Sequence, residues 1–305
     1  MIYLLLFIGL ILLFIYGMTL LRTGLFNLSS HSLKGLLEKL TDKPWKGLIV
    51  SIIITALLQS SAAVMVLTIG LISARVLTFP QSIGIILGTN IGTTFTTEFI
   101  TFDINNYLLP LAIIGVLFMI INKYQLRSFG FILFGISIVF TTMRGFKYFA
   151  GMIENQTTLN TFFLQLADRP FLALLVGIVI TALIQSSTAT IGIIMGFLTA
   201  GLLPIEIAIA IMLGSNIGTC VTSFLASLGT EKSAKLCAYA HIWLNIGGVI
   251  LFYPFIHELA AIVKNMTSDI DVQLAHASLL FNVLSSLLVL PFAERFGKLI
   301  MRIHS

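Results

Sequence analysis

The chain has 305 residues, of which 58% are hydrophobic and only 10% are charged. An average soluble domain carries about 25% charged residues, so the composition excludes a soluble enzyme or binding module and indicates an integral membrane protein. The formal net charge of +5 does not indicate nucleic-acid binding, because the Lys and Arg residues fall at or near the ends of apolar runs, where positive loops set topology.

The predicted membrane segments follow one another along the chain with short polar connections. Runs near the ~20 residues that a helical span needs cover about 3–21, 81–102, 107–122, 128–147, 206–228, 236–256 and 273–291. The first run has neither a basic segment before it nor a small-residue cleavage site after it, so we expect a retained helix instead of a signal peptide. The whole chain, 1–305, is predicted to form a single membrane domain.

Two further apolar runs are longer and have polar centres. Residues 47–74 and 172–200 are 28 and 29 residues long, and each carries Gln-Ser-Ser near its middle. Arms of about 13 residues are roughly 20 Å long as helices, which reaches the middle of the ~30 Å hydrocarbon layer without crossing it. This arithmetic favours a re-entrant helical hairpin with Gln-Ser-Ser at its tip. A single long tilted helix with a polar kink fits less well.

The polar centres occur twice at one offset. The sequence Thr-Ala-Leu-Leu-Gln-Ser-Ser at 55–61 returns with one change at 181–187, and Leu-Gly-Thr-Asn-Ile-Gly-Thr at 87–93 returns with one change at 213–219, in both cases 126 residues later. A duplicated polar centre flanked by apolar sequence is typical of secondary transporters built from repeats. The predicted repeats cover about 3–123 and about 128–256, with an extra C-terminal helix at about 273–291.

Loop charges predict on which side of the membrane each end lies, but they do not decide between hairpins and full crossings. With hairpins and an outside N-terminus, 13 of the 17 Lys and Arg residues, including Arg22, lie on the cytoplasmic side, as the positive-inside rule requires. If both long runs crossed fully, the division would again be 13 to 4. Hairpins leave an odd number of crossings in each repeat, so the repeats would be inverted and both tips would approach one midplane.

The fold class that we predict is therefore an all-α integral membrane protein of two inverted repeats, each with a re-entrant helical hairpin and a broken transmembrane helix. The glycines of the second duplicated motif, at 87–93 and 213–219, would let a helix unwind at membrane depth. The predicted backbone breaks are at Gly88, Gly92, Gly214 and Gly218.

These polar centres indicate a ligand site, because amides and hydroxyls are costly at membrane depth unless they line a cavity or bind something. Each second hairpin arm would begin just after Gln-Ser-Ser, and the free N–H groups of a helix N-terminus attract anions. No Lys or Arg is expected near these centres, so an anion there would need accompanying cations. Freed carbonyls and side-chain oxygens of Gln, Asn, Ser and Thr are hard ligands suited to Na⁺.

The doubled motif resembles the type II sodium/phosphate cotransporter family. Thr-Ala-Leu-Leu/Ile-Gln-Ser-Ser, each time followed by Leu-Gly-Thr/Ser-Asn-Ile-Gly-Thr, extends the resemblance over nearly the whole chain and is highly specific. The resemblance implies Na⁺-driven symport of inorganic phosphate across the plasma membrane. We expect the short bacterial-type form, without the cytoplasmic regulatory domain that follows the membrane part in many bacterial members.

The resemblance also implies a set of ligands for phosphate and Na⁺. Carried over residue by residue, they are Gln59, Ser60, Ser61, Asn90, Thr93, Gln185, Ser186, Ser187, Asn216 and Thr219, and the neighbouring Thr89, Thr94, Thr188 and Ser215 complete the predicted site. The family often has a third serine after Gln-Ser-Ser. This chain has Ala62 and Thr188 there, so the first tip lacks one hydroxyl.

Rival interpretations stay open. One keeps the architecture but carries another small anion, such as sulfate or a carboxylate, or exports phosphate. A second is an intramembrane hydrolase that uses Ser60 or Ser186 with His241, although the chain has no Gly-x-Ser-Gly nucleophile turn. A third is a membrane sensor or assembly subunit that transports no solute.

The partners that we expect are inorganic phosphate, Na⁺ as the coupling ion and the lipid bilayer. No enzymatic activity, no other cofactor and no nucleic acid are expected. The N-terminus is predicted outside and the C-terminus in the cytoplasm, and the oligomeric state, a dimer included, stays open.

Overall fold

In a computed structural model, which describes residues 2–39, 41, 43–153 and 165–304, the regular elements are helical. Residues 154–164, in the predicted second repeat, lie outside the described residues. The α-helices are α1 Ile2–Lys39, α2 Pro44–Leu58, α3 Ser61–Ser73, α4 Phe79–Phe99, α5 Leu108–Ile120, α6 Tyr124–Ile153, α7 Pro170–Ile184, α8 Ser187–Thr199, α9 Ile205–Ser227, α10 Lys232–Phe252, α11 Ile256–Met266, α12 Ile270–Val289 and α13 Ala293–Ile303.

Several of these helices are long and apolar enough to cross a membrane. Among the described residues there are 5 such segments, namely α1 up to Ser29, α6, α9, α10 continued into α11, and α12 continued into α13. Their outward faces carry large apolar side chains, such as Ile2 and Ile250, that are 73% and 70% exposed and would be costly in water. The chain is therefore a multi-pass membrane protein.

The first long apolar run folds as a helical hairpin. Along the contact between α2 and α4, Gly84 faces Pro44, and Gly92 faces Thr55. Because residue numbers rise together on both helices, α2 and α4 run parallel, and α3 must return the chain to the level where α2 began. The arms have 15 and 13 residues, about 22 and 20 Å, so neither can cross a ~30 Å hydrocarbon layer.

The second long run repeats this arrangement. Gly177 of α7 faces Ile211 of α9, and Gly218 of α9 faces Thr181 of α7, so these helices are also parallel and α8 makes the return. Its arms again have 15 and 13 residues. Both long runs are thus helical hairpins, as the span arithmetic predicted. Their re-entrant position in a membrane stays a prediction.

The first helices of the two predicted repeats pack against each other in opposite directions. Gly24 of α1 lies against Ser128 near the start of α6, whereas Leu10 lies against Gly145 near its end. The helix α1 has 38 residues and continues well past residue 21, where the first apolar run was expected to end. The residues just after 21 are consequently part of α1, where it packs against α6, and are not in a loop.

Each hairpin is anchored in its own cluster of buried apolar side chains. The second hairpin shares a cluster with α1, α6 and α9, represented by Phe14, Val139 and Met195. The first shares another with α4, α10 and α13, represented by Ile54, Met65 and Ile86. Contacts of α3 with α9 and of α4 with α8 join the two halves, which brings the hairpin tips toward each other.

Candidate functional site

The hairpin tips have the same backbone conformation in both halves. Gln59 is left-handed with φ 51° and ψ 31°, and Gln185 matches it with φ 55° and ψ 30°. The following serines are extended and cap the return arms: the Ser60 hydroxyl accepts from the N–H of Ala63 at 3.1 Å, and Ser186 does the same for Ala189 at 3.2 Å. A left-handed non-glycine residue costs about 1–2 kcal/mol, so the motif keeps a strained turn at both tips.

Both tips line one small cavity. Its volume is about 20 Å³, close to the space that a single water requires. The lining residues are Arg22, Gln59, Ser60, Ser61, Ala62, Thr93, Gln185, Ser186, Ser187, Thr188 and Thr219. The structure therefore brings together nine of the predicted site residues, from segments 126 positions apart, and adds Ala62 and Arg22.

The lining hydroxyls fall into two groups. Thr93 and Thr219 donate to the carbonyls of Thr89 and Ser215 within their own helices, at 2.8 and 2.9 Å. Ser61, Ser187 and Thr188 are 7%, 9% and 3% exposed, and within the described part of the chain their hydroxyls have no hydrogen-bond partner. These three hydroxyls are not among the buried side-chain atoms that lack a partner in the described part of the chain. They line the cavity instead, where they are available to a polar ligand.

Gln59 offers an acceptor at the same place. Its Nε2 donates to the carbonyl of Ala56 at 2.6 Å, whereas its Oε1 is buried without a hydrogen-bond partner among the described residues. Gln185, its counterpart, is exposed. The two tips therefore differ in side-chain environment although their backbones match.

Arg22 was missed by the sequence analysis. It comes from α1, lines the cavity, and donates from Nε to the carbonyl oxygen of Gln59 at 2.9 Å. The expectation that no Lys or Arg lies near the polar centres is wrong. Arg22 was assigned to a loop because the first apolar run was ended at residue 21, but α1 continues as one helix beyond it.

The predicted helix breaks are also wrong. α4 and α9 continue without interruption through Gly88, Gly92, Gly214 and Gly218. A Cβ at Gly92 would lie 2.5 Å from the Cβ of Thr55, and one at Gly218 would lie 2.6 Å from the carbonyl oxygen of Ile178. The glycines permit close parallel packing of each hairpin against the next helix, the common use of small residues between membrane helices.

The remaining predicted ligands do not line the cavity, and all but Asn90 donate to carbonyls of their own continuous helices. Thr89, Thr94, Ser215 and Asn216 donate to the carbonyls of Ile86, Ile91, Met212 and Met212, respectively. Asn90 donates to Oδ1 of Asn245 at 3.3 Å. Asn90 therefore joins α4 to α10 in the structure, which places it in an interhelical contact.

The contacts of His241 do not favour a hydrolase. Its Nδ1 lies 2.9 Å from the hydroxyl of Ser223. His241 does not line the cavity of the hairpin tips, so it is not placed to activate Ser60 or Ser186.

One difference between the hairpins lies beside the tips. In the second, the hydroxyl of Thr181 donates to that of Thr190 at 2.8 Å, which joins the two arms. In the first, Thr55 and Val64 stand at the corresponding positions, and the Thr55 hydroxyl is buried without a partner among the described residues. The second hairpin is thus held by a polar contact that the first lacks.

Comparisons with known proteins agree with the doubled motif. A family model described as Na+/Pi-cotransporter matches residues 13–148 and 153–283. The chain is 41% identical over 294 residues to the "Uncharacterized protein YqeW" of Bacillus subtilis (strain 168), with 96% of each chain covered. No solved structure is significantly similar to the chain.

Two other relatives carry names that mention phosphate. The "Putative inorganic phosphate export protein YjbB" of Escherichia coli (strain K12) is 24% identical over 295 residues, covering 95% of this chain and 54% of that protein, so the chain spans about half its length. "Sodium-dependent phosphate transport protein 2B" of Mus musculus is 32% identical over 161 residues, covering 49% of this chain and 21% of that protein. Because the family model covers most of the sequence, the chain belongs to the Na⁺/Pi-cotransporter family.

Proposed function

We propose that the chain is a secondary active transporter that couples Na⁺ to the symport of inorganic phosphate across the plasma membrane. The observation that carries this proposal is the single cavity in which both Gln-Ser-Ser tips meet. It rests in addition on membership of the Na⁺/Pi-cotransporter family.

The donors around the cavity suit an oxyanion. The starts of α3 and α8 point their first N–H groups toward the tips, and the hydroxyls of Ser61, Ser187 and Thr188 are available beside them. Helix N-termini and hydroxyls are the usual partners of phosphate oxygens. A tetrahedral anion can accept from several of these donors at once, which an apolar solute cannot.

Acceptors for Na⁺ are present at the same tips. The Oε1 of Gln59, which has no partner among the described residues, is a hard oxygen ligand of the type that binds Na⁺ in discontinuous membrane helices. Cation and anion would each lower the electrostatic cost of the other at this depth. We therefore propose Na⁺ as the coupling ion, with no other cofactor and no enzymatic step.

Transport requires the tips to separate. The cavity volume of about 20 Å³ is near that of one water and is too small for phosphate. Inverted repeats would supply the motion by exposing the tips to either side in turn. The antiparallel α1 and α6 and the matching hairpins of the two halves support such inversion. We place the N-terminus outside and the C-terminus in the cytoplasm, as the loop charges favour.

The direction of net transport has a second candidate. One relative that matches 95% of this chain is named "Putative inorganic phosphate export protein YjbB". The same cavity could serve export of phosphate, or movement of another small oxyanion.

The test is transport by the purified chain in proteoliposomes. We expect labelled phosphate to accumulate under an inward Na⁺ gradient and not under an equal choline gradient. Gln59→Ala and Gln185→Ala should each abolish this flux, whereas Gln125→Ala, at an exposed glutamine of α6, should leave it unchanged.

The same vesicles test the direction of transport and the identity of the transported anion. Efflux of preloaded phosphate without Na⁺-driven uptake would favour the exporter, and complete competition by sulfate would favour another cargo. Normal Na⁺-driven uptake by both glutamine variants would contradict the assignment of the site.

A further inference from the structure

We propose that Arg22 is a direct ligand of the transported anion and supplies a fixed positive charge that lowers the Na⁺ requirement for binding. This inference rests on the proposed function, because it assigns a residue to the same cavity. It begins from the position of Arg22, which lines the cavity together with both tips.

Within the described part of the chain, no ion pair neutralises the charge of Arg22. A guanidinium carries five N–H donors, and the described contacts account for one, from Nε to the carbonyl oxygen of Gln59. Among the described residues no carboxylate pairs with it, since the ion pairs involve other cations. The adjacent Leu21 packs on Gly135, near the middle of α6, where an uncompensated charge is expensive and indicates function.

The described residues that line the cavity around Arg22 supply donors and include no acidic side chain. Ser61 and Thr188 are 7% and 3% exposed as residues, and they line the same space, where their hydroxyls can donate. With the starts of α3 and α8, these groups form a positive environment. The planar fork of an arginine suits a tetrahedral oxyanion better than a point charge does.

Among the described lining residues, the basic side chain comes from the first half alone. The position 126 residues after Arg22 is Tyr148, which is 69% exposed and does not line the cavity. The site is thus symmetric in its tips and asymmetric in its charge. An anion bound there would be neutralised in part by Arg22, so fewer or more weakly bound cations would suffice.

A structural role for Arg22 makes a different prediction. If it only held the Gln59 carbonyl, any side chain that donates a hydrogen bond would replace it. Arg22→Gln keeps donors and loses the charge, whereas Arg22→Lys keeps the charge. Arg144→Gln is the control, because Arg144 is exposed on α6 and remote from the tips.

The experiment is titration of inorganic phosphate into the purified full-length chain over a series of NaCl concentrations at constant ionic strength, with melting temperature measured in parallel. We expect Arg22→Gln to bind phosphate roughly 10- to 100-fold more weakly, as loss of a charge-assisted contact implies, and to require more Na⁺ for half-saturation. Arg22→Lys should retain most of the affinity, and Arg144→Gln should match the wild type.

Two results would overturn the inference alone: wild-type affinity and Na⁺ dependence in Arg22→Gln, or equal losses in the Gln and Lys variants. If the wild type bound no phosphate at any Na⁺ concentration, the proposed function would fail and the inference with it. The wild-type titration therefore separates the two failures.

Discussion

The glycines of the duplicated Leu-Gly-x-Asn-Ile-Gly-Thr sequences allow a quantitative test of their role in packing. A Cβ at Gly88 would collide with the Ser51 hydroxyl and the carbonyl of Leu48, and a Cβ at Gly214 would collide with the carbonyl of Leu174. Backbone carbonyls cannot rotate away, so each hairpin must move off its partner helix. Overpacking of this kind costs about 1–3 kcal/mol.

The higher helix propensity of alanine opposes this cost by about 1 kcal/mol. Gly70→Ala is the matched control, because Gly70 is also helical and an added Cβ there meets nothing within 4 Å. We expect Gly88→Ala and Gly214→Ala to lower the melting temperature of the purified chain in detergent, while Gly70→Ala maintains or raises it.

Phosphate flux measured on the same variants distinguishes packing from hinge function. If Gly88→Ala and Gly214→Ala melted at or above the wild-type temperature and yet lost flux, the glycines would be acting by unwinding the helices. That result would refute the packing account and restore the original prediction of broken helices.

Two further predictions concern buried polar contacts. Asn90→Ala leaves the Asn245 Oδ1 without its donor and should destabilise the chain by about 1–3 kcal/mol, while the affinity for phosphate stays unchanged. Calorimetry measures the stability and phosphate titration measures the affinity. Lost affinity at an unchanged melting temperature would contradict this prediction. Thr190→Val removes the hydroxyl contact between the arms of the second hairpin and should lower thermal stability, whereas Val64→Thr gives the buried Thr55 hydroxyl a partner and should raise it by about 0.5–1.5 kcal/mol. Opposite signs in unfolding experiments would show that the two arms do not approach each other as described.

The hairpins could be predicted from the sequence because membrane thickness imposes a length. A run of 28 residues with Gln59 near its centre is too long for one upright span and provides two arms that are each too short. The structure adds a fact that length alone could not provide, namely the parallel course of α2 and α4, which requires α3 to turn back.

The helix breaks could not be predicted correctly because glycine serves two opposite purposes in membrane helices. The same residue permits unwinding and permits close approach of a neighbouring helix. Gly84, Gly88 and Gly92 recur every four residues, which is the spacing of a packing face, and Ser51 and Thr55 on α2 meet that face. The spacing was the available signal for packing.

The position of Arg22 at the tips could not be predicted from the sequence for a different reason. It lies 37 positions before Gln59, whose carbonyl it binds, and no local pattern connects them. Its charge also marked the end of an apolar run, where a basic residue usually lies in a loop. Only the continuous course of α1 and its packing on α6 bring this side chain to the tips.

The central claim is that both tips form one phosphate site, and the stoichiometry of phosphate binding tests it most directly. Equilibrium binding of labelled phosphate to the purified chain in saturating NaCl should give one phosphate per chain. Ser61→Ala and Ser187→Ala, one at each tip, should each weaken that single site. Two phosphates per chain, with each variant removing one and leaving the other intact, would contradict the account.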